Sequence, residues 1–127
     1  MKKITLALCA ALTLGSIYAQ DLKLGFNGDG KFRIVQFADI HYKTGTEAST
    51  KAIGMMKRII EAEKPDLIVF TGDNVISSPQ KQGWDEILDV AIGRSIPYAV
   101  TLGNHDDEQD WTRGQIFDYI VSKPYSL

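Results

Sequence analysis

The sequence is poor in the residues that build small stapled or metal-clustered domains: one cysteine, two histidines and four prolines in 127 residues. The single Cys9 excludes an internal disulfide framework and any zinc site made from cysteines. There is no excess of one charge, with 14 Lys and Arg against 16 Asp and Glu. A chain without a basic footprint is not expected to hold nucleic acid by electrostatics. There is no long hydrophobic run. The longest, Ile4–Leu14, is interrupted by Thr5 and Thr13 and falls short of the ~20 residues of a membrane span. Internal repeats and low-complexity stretches are also missing. What remains, 44% hydrophobic and 24% charged residues, is the composition of one folded globular domain.

The first nineteen residues read as an address. Met1-Lys2-Lys3 is a short positive start, Ile4–Leu14 an apolar stretch, and Gly15-Ser16-Ile17-Tyr18-Ala19 leads with small residues to an Ala-Gln junction. That order is the pattern of a secretory signal peptide. Residues 1–19 are therefore expected to be removed and the protein exported to the periplasm or the medium, with no stable membrane span left after cleavage. Cys9 leaves with the signal, so residues 20–127 carry no thiol.

Beyond the signal, Leu22–Phe26 alternates apolar and other residues, Asn27-Gly28-Asp29-Gly30 is a turn sequence, and Lys31–Phe37 reads as a returning strand. A hairpin is expected there. The rhythm then changes. Ala52, Ile53, Met56, Ile59 and Ile60 lie at helical spacing within Ala48–Glu63, and Pro65 bounds them. Asp66–Phe70 is a continuous apolar run of the kind buried in parallel sheets. Trp84, Ile87, Leu88, Ala91 and Ile92 mark a second amphipathic helix, Pro97–Leu102 a fourth strand, and Trp111–Ser122 a last helix. Ser77–Gly83 is the one linker-like stretch. The alternation of strands and helices predicts an α/β fold with parallel strands and right-handed crossovers.

Each expected parallel strand runs into polar residues: Asp39-Ile40-His41, then Gly72-Asp73-Asn74, then Gly103-Asn104-His105-Asp106. In open α/β sheets ligands bind beyond the carboxyl ends of the strands, so these clusters should share one rim. Both histidines lie in them. If Asp39 and His41 continue the strand, they point the same way and can grip one ion. Asp73 can bridge two metals, and Asn104 adds a neutral amide oxygen. Such a donor set suits manganese, iron or zinc, and two ions can activate water and clamp a phosphoryl group. His105 is placed to protonate a leaving oxygen, and Asp106 either assists it or caps the helix that follows.

These motifs resemble those of the calcineurin-like metallophosphoesterase superfamily, whose Asp-x-His, Gly-Asp and Gly-Asn-His-Asp/Glu appear in order here. The surrounding text, FRIVQFADIHY, EAEKPDLIVFTGDN and LGNHD, is similar to its purple acid phosphatase-related branch. The resemblance implies a β-sandwich flanked by helices, a dinuclear centre of divalent or mixed-valence ions, and phosphate ester substrates. It also implies that Asp39, His41, Asp73 and Asn104 are metal ligands and that His105 and Asp106 serve catalysis.

The chain departs from that pattern in three places. Ile76 stands where purple acid phosphatases have an iron-binding tyrosine, and where protein phosphatases have an aspartate that orients the catalytic histidine. That leaves Asp106 as the residue to orient His105. His41 stands where the purple enzymes have glycine. No histidine follows His105, so the later Gly-His-x-His ligands are missing. Residues 20–127 are thus expected to be the N-terminal portion of the domain, without its C-terminal portion and incomplete for catalysis. The alternative is a non-catalytic domain that keeps the fold and binds a metal or ligand. A nuclease, known among superfamily members, is disfavoured by the acidic balance.

Overall fold

The computed structural model describes residues 22–127; the expected signal peptide lies outside the described residues. Three short strands, β1 (Ile34–Phe37), β2 (Leu67–Thr71) and β3 (Tyr98–Thr101), form one parallel sheet in that order. The register sets Val35 beside Ile68 and Ile68 beside Tyr98, then Phe37 beside Phe70 and Phe70 beside Val100. Side chains alternate across a strand, so these six residues share one face. That face receives all three helices: α1 (Glu47–Glu63), α2 (Gln80–Ile92) and α3 (Arg113–Val121). Met56 and Ile60 of α1, Trp84, Ile87, Leu88 and Ala91 of α2, and Ile116 and Ile120 of α3 join Ile68, Phe70 and Tyr98 in a single core. Right-handed crossovers between strands ordered 1-2-3 require the first two helices to lie on the same side.

The opposite face of the sheet is partly open, with Ile34 57% exposed and Gln36 hydrogen-bonded to Thr71 at 2.8 Å. No second sheet covers it among the described residues, so this is the helix-covered, parallel part of the architecture that the motifs imply.

Two helices are capped from their own sequence. Thr46 accepts from Ser49 N–H ahead of α1, and Thr112 and Gln115 form a reciprocal capping box on α3. Helix α2 has no such local cap. Its first amide, Gln80 N–H, donates instead to Asp110 Oδ1 at 3.0 Å, a residue of the loop before α3. The expected linker Ser77–Gly83 is therefore not a linker. Gln80 opens α2, is fully buried, and donates through Nε2 to the Asp106 carbonyl while accepting Trp111 N–H at 2.7 Å.

The expected hairpin also needs correction. Its turn forms, with Asn27 Oδ1 accepting the amides of Asp29 and Lys31 at 3.0 Å each. Leu22–Phe26 does not become a strand, however, and Leu24 and Phe26 stay 45% and 78% exposed. A two-stranded pairing is marginal in water unless one face is buried, and nothing here buries Phe26.

Candidate metal centre

Three loops leave the carboxyl ends of the strands side by side, and the parallel pairing continues into them. Asp39 N–H donates to Gly72 O at 3.1 Å, His41 N–H to Asp73 O at 2.9 Å, and Tyr42 N–H to Asn74 O at 2.8 Å. Asp39 and His41 nonetheless do not alternate as strand residues, because β1 ends at Phe37. Asp39, His41 and Asp73 all adopt left-handed backbone conformations, with φ of 52°, 49° and 51°. Such a conformation costs a non-glycine residue roughly 1–2 kcal/mol, so three at one place mark a site where geometry overrides local preference.

The result is a convergence of unlike donors. One ligand atom from each of Asp39, His41 and Asp73 lies within 4.8 Å of the others. His41 Nε2 is 3.8 Å from Asp73 Oδ2 and 4.0 Å from Asp39 Oδ1. These separations are too long for hydrogen bonds. They approach the spacing of donors each ~2.1 Å from a shared ion. Two carboxylates and an imidazole fit a borderline-hard divalent metal. The site is an open rim rather than a cavity: Asp39 is 73% exposed while Asp73, at its base, is 14% exposed.

Asp73 is held from the third loop. His105 N–H donates to Asp73 Oδ1 at 2.9 Å, which leaves Oδ2 facing His41. That contact depends on two glycines. A Cβ on Gly103 would sit 2.2 Å from Asp73 Oδ1, and one on Gly72 would meet Gly103 Cα at 3.0 Å. The His105 ring stacks edge-on against His41, with centroids 5.8 Å apart, so both histidines border the same rim. Asn104 lies in the same loop, exposed, and its side chain enters no hydrogen bond among the described residues.

Asp106 does not orient His105, nor does it cap α3, which Thr112 caps. Asp106 is completely buried. Its Oδ1 accepts the amides of Asn74 at 2.7 Å and Val75 at 3.0 Å, and its Oδ2 accepts that of Gly103 at 2.8 Å. It ties the second loop to the third, and both Asp73 and Asn104 sit beside the tie. Glu108 lies against His105 instead, its Oε2 2.8 Å from Nδ1. The adjacent Glu108 carboxylate raises the pKa of the imidazole above its ordinary value. An acidic residue one turn after a histidine is the signal by which Glu108 could have been noticed. Gln80 and Asp110 carry no such local mark.

The model of the calcineurin-like phosphoesterase family matches residues 32–126. Among curated relatives, the chain is 37% identical to the Arabidopsis thaliana protein named "Probable inactive purple acid phosphatase 29", over 94% of this chain and 35% of that protein. It is 38% identical to "Probable inactive purple acid phosphatase 14" of the same plant, over 83% of this chain and 31% of that one. Against "Phosphatase DCR2" of Saccharomyces cerevisiae identity is 36%, over 78% and 20% of the two chains. The chain thus spans about a third or less of the length of these relatives. No solved structure matches it.

Proposed function

Because this chain belongs to the calcineurin-like phosphoesterase family, we propose that the rim beyond β1–β3 is the metal-binding part of a site that hydrolyses phosphate esters. The observation that carries the reading is the convergence of Asp39, His41 and Asp73, each in a left-handed backbone conformation, with His105 alongside. Asp39, His41 and Asp73 hold one divalent ion, manganese, iron or zinc. Asp73 and Asn104 supply the first ligands of a second. When bound, the metal supplies Lewis acidity toward the phosphoryl group and lowers the pKa of water. His105 then gives a proton to the leaving oxygen, and the Glu108 carboxylate beside it raises the pKa of its ring above the ordinary value. Asp106 belongs to the scaffold beneath, not to the reacting groups. The same reading includes export through the N-terminal signal, which N-terminal sequencing of the exported protein would test.

Manganese binding followed by calorimetry or electron paramagnetic resonance tests the site directly. Asp73→Asn is expected to weaken binding by tenfold or more, in the range of losses for disturbed metal sites. Unchanged affinity in that variant would remove the triad from the function. Manganese-dependent hydrolysis of an alkyl phosphate, abolished by His105→Ala, tests the chemistry.

A second reading, a non-catalytic metal- or ligand-binding domain, is favoured by the two plant relatives whose names carry the word inactive. It predicts manganese binding that needs Asp73, together with no phosphate release.

A further inference from the structure

The loop Gly103–Thr112 is fastened at nearly every residue. Asp106 is bound to the second loop and to Gln80, and Asp107 Oδ1 meets Arg113 Nη1 at 2.9 Å. Arg113 also donates to the carbonyls of Gly103 and Leu102. Asp110 takes the amide of Gln80 and the hydroxyl of Ser78. Glu108 is the exception among these acids. The scaffold does not use its side chain, and among the described residues the one partner that side chain has is His105 Nδ1. The fastened turn brings Glu108 close to His105, where its backbone N–H donates to the His105 carbonyl at 3.5 Å.

A carboxylate is an acceptor only, so the ring atom it faces must be the one that carries hydrogen. From this contact we infer that Glu108 is the positioning residue of His105, fixing Nδ1–H and leaving Nε2 as the atom that serves the leaving group. The inference rests on the phosphoester reading for its chemical consequence. As water oxygen bonds to phosphorus and the phosphorus–leaving-oxygen bond breaks, the bonding pair goes to the leaving oxygen. The Nε2 proton follows it, and the ring is left neutral with Nδ1–H still on Glu108. Without Glu108 the ring can turn over or exchange tautomers, and Nε2 is no longer the dedicated donor. Glu108 replaces by local sequence what an aspartate at the position of Ile76 would otherwise supply from the second loop.

Long-range proton–nitrogen NMR spectra of the full chain, recorded metal-free above the titration of the rings, read the tautomer directly. His105 is expected in the Nδ1–H form, changing to the Nε2–H form in Glu108→Ala, with His41 unchanged as the internal control. Either an Nε2–H ring in the unaltered protein or an unaltered tautomer in Glu108→Ala overturns the inference. Glu108→Ala is then compared with the unaltered protein on two manganese-supplemented substrates. An alkyl phosphate needs a proton on its leaving oxygen and an aryl phosphate with an acidic phenol does not, so the alkyl-to-aryl rate ratio should fall by about tenfold or more. An unchanged ratio overturns the leaving-group role. No turnover of either ester, alongside the expected tautomer, overturns hydrolysis by this chain on its own and leaves the pairing of the two residues standing.

Discussion

Asp106→Asn separates a scaffold residue from a catalytic one at almost constant volume. The carboxylate accepts two amides through Oδ1 and one amide through Oδ2, with Asn74 Nδ2 a further 3.4 Å from Oδ2. An asparagine amide keeps one accepting oxygen. Whichever way it is turned, its NH2 faces donors: Gly103 N–H and Asn74 Nδ2 in one orientation, the amides of Asn74 and Val75 in the other. At least one backbone donor is orphaned in a fully buried place, and the remaining bonds lose their charge assistance. An orphaned buried donor costs about 1–3 kcal/mol and each lost charge-assisted bond adds to that, so about 3 kcal/mol is expected in total. For a domain of this size that lowers the unfolding midpoint by roughly 10–25 °C, readable by circular dichroism. His105→Ala, at a ring 41% exposed, should stay within about 0.5 kcal/mol of the unaltered protein. Asp106→Asn unfolding at the original temperature but losing manganese binding or turnover would place Asp106 at the reacting centre and refute its scaffold role.

Gly103→Ala sets a Cβ 2.4 Å from the Asp73 backbone nitrogen as well as 2.2 Å from its carboxylate, so no side-chain rotation clears it. Manganese affinity should fall with stability there, whereas Gly114→Ala in α3, with open space around the new methyl, should stabilise by about 0.5–1 kcal/mol in urea unfolding. Asp85 is also testable by pH. Burial pushes its carboxyl up, but hydrogen bonds from Lys123, Lys81 and Tyr119 outweigh this and hold it well below the usual carboxylate range. A depressed carboxyl stabilises the fold above its ordinary pKa of 3.8 and ceases to as pH falls through the folded value. Urea midpoints for Asp85→Asn should therefore trail the unaltered protein by about 1 kcal/mol at neutral pH, a figure kept small because the side chain is 37% exposed. The gap should narrow steadily as pH falls below about 4 toward the depressed folded pKa; a gap that stays constant over that range would show that packing, not charge, is at stake. Gln80→Ala removes the partner of Trp111 N–H and of the Asp106 carbonyl, and should raise hydrogen exchange at Trp111 at a cost of about 2 kcal/mol.

The polar residues past each strand and the core helices were readable one residue at a time. Asp39-x-His41, Gly72-Asp73 and Gly103-Asn104-His105 stand at strand ends that apolar runs announce, and topology then brings them to one rim. Leu22–Phe26 misled because alternation describes a strand's side chains without saying whether another strand is present to pair with it. Ser77–Gly83 misled in the opposite way. Its polar residues look solvated, yet Gln80 is buried because two backbone groups, 26 and 31 residues further along, need its amide.

What the sequence alone determined is therefore local and periodic: the βαβαβα order, the apolar face of each helix, and the identity of the polar groups past each strand. Which of those groups meet was decided by the tertiary structure. Asp106 points down into the join between two loops and Glu108 up to His105, although both lie within three residues of the same histidine. Direction in a loop is set by what the backbone must satisfy across space. Here the orphan amides of Asn74, Val75 and Gly103 claimed one carboxylate and left the other for the imidazole.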